Sequence, residues 1–200
     1  MSERYLVFTG RPNSGKSSII RKITGLQTRS GKRPGTTRRV SVIPLSRGLS
    51  LVDMPGYGRI TGAARGFTED VKDEITDFIE EKGDDIVLAV HVLDLSTFME
   101  VALRQEDKGL IPIDLEMVRY LRESTGEPPL IAANKTDRVG EERERLLDEL
   151  GHLIAGGDLT ELESIIYPVS AKTGEGVGAL KDAIHRKLAA EGFRTPFKMQ

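Results

Sequence analysis

Cysteine is absent from the 200-residue sequence. Its absence excludes a scaffold held by disulfides, a zinc site built from cysteine and a cysteine nucleophile, and it permits a reducing compartment. No apolar run is long enough to cross a bilayer, and the N-terminus lacks the pattern of a signal peptide. We therefore expect a cytoplasmic protein that does not insert into membranes.

Acidic residues are also absent from one long stretch of the chain. Between Arg4 and Val52 there are eleven lysines and arginines and no aspartate or glutamate, although the net charge of the whole chain is −2. The rest of the chain therefore carries −13. This asymmetry favours a negatively charged partner, with RNA as the leading candidate. Alternatively, the phosphates of a small ligand need some of these bases and solvent surrounds the others.

The remaining composition is ordinary for a globular protein, with 38% hydrophobic and 30% charged residues. The length suits one domain with a sizeable buried core. We place this domain at residues 1–192 and expect residues 193–200 to form a loose C-terminal tail.

Strand-like and helix-like segments alternate along the chain, which predicts an α/β fold with a mostly parallel sheet and helices on both faces. The strand-like segments are 5–10, 39–46, 49–54, 85–95, 129–135 and 164–171. Pro44 argues that segment 39–46 is an edge strand, which can pair with 49–54 as an antiparallel hairpin. Apolar residues at helical spacing predict helices within 16–25, 67–83, 114–121, 146–154 and 177–188.

A glycine-rich segment, GRPNSGKS at residues 10–17, follows the first strand and opens the first helix. This order is the context of a phosphate-binding loop, in which glycines let backbone N–H groups turn toward phosphate oxygens. Lys16 can reach the β- and γ-phosphates, and the Ser17 hydroxyl can bind magnesium. The predicted phosphate-binding residues are Gly10, Arg11, Pro12, Asn13, Ser14, Gly15, Lys16, Ser17 and Ser18. We call residues 10–17 the phosphate loop.

The segment DMPG at residues 53–56 ends another strand and adds two candidate residues. Asp53 can hold magnesium through a water molecule, and the Gly56 N–H can reach a γ-phosphate. An ordinary turn at the end of a strand would explain the same residues.

The segments NKTD and SAK, which end two later strands, distinguish guanine from adenine. Asp137 can accept hydrogen bonds from N1–H and the 2-amino group of guanine, whereas adenine offers neither donor. Backbone N–H groups of SAK can meet guanine O6. The predicted base-binding residues are Asn134, Lys135, Asp137, Ser170, Ala171 and Lys172. Because ligands of open α/β sheets lie at the carboxyl ends of the strands, all four motifs predict one site.

Three further polar residues have modest expected roles. His91 lies within an apolar strand and is interpreted as a packed core histidine. Asp94 ends the same strand, where it either supports the base-binding side or caps the next segment. Asp114 is expected to cap a helix.

The motifs GRPNSGKSS, RPGTTRR, VDMPGYG, NKTD and SAKTGEG resemble those of the TrmE–Era–EngA–EngB group of P-loop GTPases, and most closely those of EngB proteins. The likeness covers about residues 5–188. It implies a Ras-like domain that binds GTP with Mg²⁺ and hydrolyses it to GDP and phosphate. It also implies a nucleotide-dependent switch in the assembly of the large ribosomal subunit.

Tyr57 occupies the position just after DMPG, where Ras-like enzymes use a glutamine to orient the attacking water. We therefore expect slow intrinsic hydrolysis. The resemblance implies that Asn13 holds a potassium ion that neutralises charge between the β- and γ-phosphates. The alternative is that Asn13 makes a side-chain hydrogen bond that stabilises the turn. The implied catalytic residues are Lys16, Asn13, Thr37 and Gly56.

The loop after the first helix carries the remaining predicted contacts. By analogy with EngB motifs we choose Thr37 over Thr36 as a magnesium ligand in the GTP state; a threonine without a ligand is the alternative. The same region, residues 29–39, is basic. Ribosomal RNA or a pre-ribosomal particle is its expected partner, since each neutralised phosphate releases counterions. Solvated side chains or an acidic protein partner would also explain these charges. We expect a monomer.

Two other functions remain open at this point. One is a cytosolic GTPase that regulates a membrane transporter, as in FeoB. The other is a P-loop kinase that phosphorylates a small molecule, although that class does not need NKTD and SAK together. Relative affinity for GDP and ADP separates the kinase from the switch.

Overall fold

The computed structural model describes residues 2–26, 39–57, 65–155 and 165–197. These residues contain a six-stranded sheet in the order β2-β3-β1-β4-β5-β6. The strands are β1 (Arg4–Thr9), β2 (Ser41–Ser46), β3 (Leu49–Asp53), β4 (Ile86–Asp94), β5 (Leu130–Asn134) and β6 (Ile166–Pro168). Only β2 and β3 pair antiparallel within this sheet. The predicted α/β class, with a mostly parallel sheet and one antiparallel edge strand, is confirmed.

Helices cover both faces of the sheet because successive strand residues point to opposite sides. In β1, Leu6 and Phe8 pack with α1 and α6, whereas Val7 packs with α2 and α4. A third cluster joins the ends of β4 and β5 to α3, α4 and α5. The helices are α1 (Lys16–Thr24), α2 (Arg65–Lys82), α3 (Leu95–Glu106), α4 (Ile113–Thr125), α5 (Arg143–Ala155) and α6 (Val177–Ala190).

The β2–β3 hairpin forms the edge of the sheet, as Pro44 predicts. Arg47 and Gly48 make the tight connection, with Gly48 in the left-handed region at φ 74°. A proline is tolerated in β2 because, among the described strands, this one has a sheet neighbour on one side only.

Three features differ from the sequence-based predictions. Helix α3 was not predicted, although Leu95, Phe98 and Ala102 place apolar side chains on one helical face. Pro112, not Asp114, occupies the N-cap of α4. The last strand is limited to Ile166–Pro168 because the chain leaves the ladder there and turns into the SAK segment.

The residues after α6 pack against the domain. The Phe193 N–H donates to Leu188 O over 2.9 Å, and Phe193 and Phe197 lie partly buried against the core. The ammonium of Lys181 lies 5.6 Å from the centre of the Phe197 ring. The predicted boundary between residues 192 and 193 stays a prediction. Within the described ranges, no helix combines the length and hydropathy that a membrane span requires.

Candidate functional site

The candidate residues lie at the carboxyl edge of the sheet, each at the end of a strand or just beyond it. The phosphate loop follows β1, Asp53 ends β3 and Asn134 ends β5. The SAK segment follows β6. Parallel strands deliver all these segments to the same edge, which is where open α/β sheets bind ligands.

The phosphate loop is a tight turn that leads directly into α1. Ser14 N–H donates to Arg11 O over 3.2 Å, and Gly15 caps the helix with a left-handed φ of 99°. A Cβ atom at Gly15 would collide with the side-chain amide of Asn134. Glycine is therefore required both for the backbone conformation and for the close approach of this neighbouring motif.

Lys16 and Asp53 form a buried ion pair between the phosphate loop and DMPG. The Lys16 ammonium donates to Asp53 Oδ1, and only 6% of the lysine side chain and 3% of the aspartate side chain are exposed. Such burial requires that each charge be paired. The pair thereby places the predicted phosphate-binding cation beside the predicted magnesium-associated carboxylate.

Gly56 brings the DMPG backbone onto the phosphate loop. A Cβ atom at Gly56 would lie 2.9 Å from Pro12 N and 3.0 Å from Pro12 Cα. Because a real side chain would displace one of the two backbones, glycine permits this close approach. Gly56 and the phosphate loop therefore share one wall of the site.

Asn134 connects the phosphate loop with the SAK segment. Its Nδ2 donates to Ser14 O over 2.7 Å, and its Oδ1 accepts from Ala171 N over 2.9 Å. The asparagine is buried, so both of its bonds are protected from solvent. The Ala171 N–H, a predicted partner of guanine O6, is thus already engaged by Asn134.

Asp137 faces Ser170 of the SAK segment. Ser170 Oγ donates to Asp137 Oδ1 over 2.6 Å, and Lys172 Nζ lies 3.8 Å from Asp137 Oδ2. The Ser170 hydrogen bond is the largest cause that holds the pKa of Asp137 below its ordinary value, with Lys172 adding to it. The carboxylate is therefore ionised at neutral pH and has the acceptor chemistry that guanine N1–H and the 2-amino group require.

Replacing Ser170 with alanine is expected to raise the pKa of Asp137, because the carboxylate loses its strongest hydrogen bond. Binding that needs the ionised form is complete above this pKa and is lost as the pH falls through it. The Ser170→Ala variant should therefore lose GDP affinity at a higher pH than the unmodified protein. Carbon NMR of the aspartate carboxyl groups, together with GDP titrations at several pH values, measures both shifts.

The Ser170→Thr variant is the matched control because it keeps the hydroxyl. It should titrate like the unmodified protein. An unchanged Asp137 pKa in Ser170→Ala would contradict the role given to this hydrogen bond.

Lys135 and Asp94 form a second ion pair behind the base-binding motif. Lys135 Nζ lies 2.5 Å from Asp94 Oδ2, while Asp94 Oδ1 accepts from Ser96 N over 3.1 Å. Asp94 thus caps α3 and also contacts NKTD, so both of its expected roles are present. Lys135 itself has a left-handed φ of 69°.

A buried polar network also lies beside the site, and sequence patterns did not reveal it. His91 has no exposed surface, and its Nε2 lies 3.1 Å from Asp114 Oδ1. Arg11 Nε lies 2.7 Å from Asp114 Oδ2. Thr9 Oγ1 lies 3.0 Å from His91 Nδ1, and Tyr57 OH lies 3.3 Å from Nδ1 and 3.5 Å from Nε2. We call these five residues the His91 network.

The other predicted residues have varied placements. Asn13 is exposed in the phosphate loop with a left-handed φ of 65°, Ser17 is partly buried and Ser18 is exposed. Ser14 Oγ is buried and has no hydrogen-bond partner among the described residues. Thr36 and Thr37 lie outside the described residues, as does the basic region 29–39 except for the exposed Arg39.

Comparison with known proteins identifies the family. The family model described as "50S ribosome-binding GTPase" matches residues 5–135. A probable GTP-binding protein EngB of Methanopyrus kandleri is 41% identical over 192 residues, which cover 94% of each chain. The corresponding protein of Archaeoglobus fulgidus is 35% identical over 205 residues, which cover 99% of this chain and 98% of the relative.

Solved structures agree with these relatives. The crystal structure of a probable GTP-binding protein EngB superposes with a TM-score of 0.83 and 35% identity, covering 93% of this chain and 99% of that chain. The fold alone is shared with Aquifex aeolicus Era bound to GDP and AlF₄⁻, with a TM-score of 0.62 and 20% identity over 94% of this chain and 57% of Era. The chain therefore belongs to the 50S ribosome-binding GTPase family and within it to the EngB proteins, GTPases that hydrolyse GTP to GDP and phosphate.

Proposed function

We propose that this GTPase is a slow, nucleotide-dependent switch in the assembly of the large ribosomal subunit. The observation that supports it most directly is the double contact of Asn134 with Ser14 O and Ala171 N. This side chain joins the predicted phosphate and base subsites, as the binding of a single guanine nucleotide across both requires. The family, whose description names the 50S ribosome, supports the cellular context.

Each part of the nucleotide has a proposed partner. Backbone N–H groups of the phosphate loop hold the phosphates, and the Lys16 ammonium exchanges part of its contact with Asp53 for β- and γ-oxygens. Gly56 N–H binds the γ-phosphate only when GTP is present. Asp137, oriented by Ser170, accepts from the guanine base, and backbone N–H groups of the SAK segment meet O6. If Ala171 N–H binds guanine O6, it either donates to both O6 and Asn134 Oδ1 or gives up its hydrogen bond to Asn134.

Magnesium suits the oxygen donors at this edge of the sheet. In nucleotide sites Mg²⁺ takes one or two protein oxygens and obtains the rest from phosphate and water. The Ser17 hydroxyl and the Asp53 carboxylate match this demand, and the described residues hold no cluster of three His, Cys, Asp or Glu that could bind a metal alone. We assign Ser17 as a direct ligand, Asp53 as a ligand through water and Thr37 as a ligand in the GTP state. Bound Mg²⁺ neutralises charge on the phosphate oxygens.

Asn13 is proposed to hold a potassium ion, and cation exchange tests this role. Its exposed, left-handed position in the phosphate loop leaves the side chain at the surface of the site. We expect GTP hydrolysis to be about 10-fold or more faster in K⁺ than in Na⁺, since a fixed cation stabilises developing phosphate charge. The Asn13→Ala variant should lose this difference. Equal rates in both salts for the unmodified protein would leave Asn13 with a turn-stabilising role only.

The basic region 29–39 is proposed to contact ribosomal RNA or a pre-ribosomal particle. Its place after α1, near the predicted magnesium ligand, would let a partner sense the γ-phosphate. Binding of this kind depends on salt because each contacted phosphate releases counterions. We further propose that the protein acts in the cytoplasm as a monomer, with a GTP-binding domain at residues 1–192 and a tail at residues 193–200.

Cosedimentation with large ribosomal subunits tests the assembly role. More protein should pellet with a nonhydrolysable GTP analogue than with GDP, and raising the salt should release it. Replacing Lys32, Arg33, Arg38 and Arg39 with alanine should abolish pelleting, whereas the matched replacement of four exposed basic residues elsewhere, Lys22, Lys181, Arg186 and Lys187, should not. Equal pelleting with both nucleotides, or none, would refute the assembly role and leave the GTPase assignment unaffected.

The two alternative functions have little support. Membership of a GTPase family excludes the small-molecule kinase as the primary activity. The GTP-analogue complex of an NFeoB mutant from S. thermophilus shares 20% identity and a TM-score of 0.51, which shows the fold alone. No described contact favours a transporter over the ribosome.

A further inference from the structure

The His91 network spans the core and touches both segments that are expected to meet the phosphates. Thr9 and His91 are paired neighbours on the parallel strands β1 and β4. Asp114 lies in the first turn of α4, and Arg11 lies in the phosphate loop. Tyr57 is the residue directly after Gly56. The network therefore has its centre on rigid elements and its two ends on functional loops.

The Asp114 carboxylate determines which nitrogen of the His91 ring donates a hydrogen bond. Asp114 is 3% exposed and carries a negative charge that Arg11 pairs. A carboxylate oxygen only accepts, so Nε2 donates its hydrogen to Asp114 Oδ1, and Nδ1 faces the hydroxyl of Thr9. The Tyr57 hydroxyl also contacts the ring, 3.3 Å from Nδ1 and 3.5 Å from Nε2.

The Tyr57 side chain is committed to this network. It is 3% exposed and packs with the cluster formed by α2, α4 and the central strands. Burial, followed by the Asp114 charge, raises the pKa of the phenol, so it stays protonated and can donate to His91. A side chain held in this way does not orient the attacking water. Tyr57 instead restrains the backbone of the adjacent Gly56, which lies against Pro12 of the phosphate loop.

We infer that Tyr57 is a positioning residue, anchored by His91 and Asp114, that sets Gly56 against the phosphate loop for contact with the γ-phosphate. This inference rests on the nucleotide site proposed above but not on the ribosomal role. GDP lacks the γ-phosphate, so the anchor contributes to GTP binding and not to GDP binding. The contact between Tyr57 and His91 thereby determines how strongly the protein distinguishes the two nucleotides.

The Tyr57→Phe variant isolates the anchor. It keeps the aromatic packing and leaves His91 Nδ1 paired with Thr9, so no buried polar group loses all its partners. Affinity for a nonhydrolysable GTP analogue, relative to GDP affinity, should fall by about 3- to 10-fold, the contribution of a typical hydrogen bond. GDP affinity should stay within about twofold, since its contacts do not include Gly56.

The Thr9→Val variant is the matched control, since it removes the other hydroxyl that shares His91 Nδ1 but leaves Tyr57 anchored. Its preference for GTP analogue over GDP should equal that of the unmodified protein. An unchanged preference in Tyr57→Phe, an equal loss for both nucleotides, or the same change in Thr9→Val would overturn the inference. Failure of the unmodified protein to bind GDP would instead refute the nucleotide site, and the inference with it.

Discussion

Replacing Lys16 with alanine is expected to weaken GDP binding by about 10- to 100-fold, since one charge-assisted hydrogen bond to phosphate contributes roughly 1.5–3 kcal/mol. The side chain is buried at the start of α1, where no other described lysine or arginine takes its place against Asp53. The variant loses the cation that bridges the phosphate loop and DMPG. Calorimetric titration with GDP in Mg²⁺ measures the loss directly.

This variant also leaves the buried Asp53 carboxylate without its partner, which is destabilising. The double variant Lys16→Ala/Asp53→Asn removes both charges and separates the two effects. It should recover thermal stability without recovering GDP affinity. Lys22→Ala, an exposed change in the last turn of the same helix, is the control and should bind GDP normally. A loss of less than fivefold in Lys16→Ala would contradict the placement of the phosphates, since it is below the effect of one charged bond.

Replacing Asp137 with asparagine is expected to change the base that the protein prefers. Asparagine keeps one oxygen that can accept from guanine N1–H but replaces the other with an NH₂ group, which faces the 2-amino group of guanine as donor against donor. GDP affinity should fall by about 100-fold. Xanthine carries a carbonyl at that position, which accepts from the amide, so xanthosine diphosphate should become the tighter ligand. Titration of both nucleotides into both proteins measures the exchange.

Asp148→Asn is the control for Asp137→Asn because it makes the same chemical change on the exposed side of α5. It should leave both affinities unchanged. Weakening of GDP and xanthosine diphosphate alike in Asp137→Asn would show that Asp137 supports the fold without reading the base. That result would also show that the hydrogen bond from Ser170 to Asp137 does not serve base recognition. The predicted loss of GDP affinity in Lys16→Ala would be unaffected.

Most of the sheet could be predicted because strand signals are local. Apolar runs such as 85–95 and 129–135 specify buried central strands, and Pro44 specifies an edge. The motifs that end these strands could be assigned to one place because parallel strands share a carboxyl edge. The motifs do not specify how these segments contact one another. The structure shows that Asn134 joins the phosphate loop to the SAK segment.

The His91 network could not be predicted because its contacts join residues far apart in sequence. Asp114 lies two residues after Pro112 and precedes an apolar helical face, which is also the local pattern of a cap. The structure places Arg11 and His91 against the Asp114 carboxylate, and only these contacts show that Asp114 forms a buried ion pair. Helix α3 was missed for a different reason, since its apolar positions follow the apolar strand β4 without a turn signal between them.

The His91 network and Tyr57 also bear on the missing glutamine. The residue after DMPG is buried in the core of this protein, so we expect hydrolysis to depend on groups other than that side chain. The expected potassium effect and the expected effect of Tyr57→Phe are therefore independent. The first concerns charge beside the phosphates, and the second concerns the position of Gly56.

The comparison of GDP with ADP tests the central claim most directly. Calorimetric titration of the unmodified protein with each nucleotide in the presence of Mg²⁺ needs no variant and no ribosome. Since adenine cannot pair the carboxylate of Asp137, GDP should bind at least about 1,000-fold more tightly than ADP. Comparable affinities for the two nucleotides, or no binding of GDP, would contradict the account.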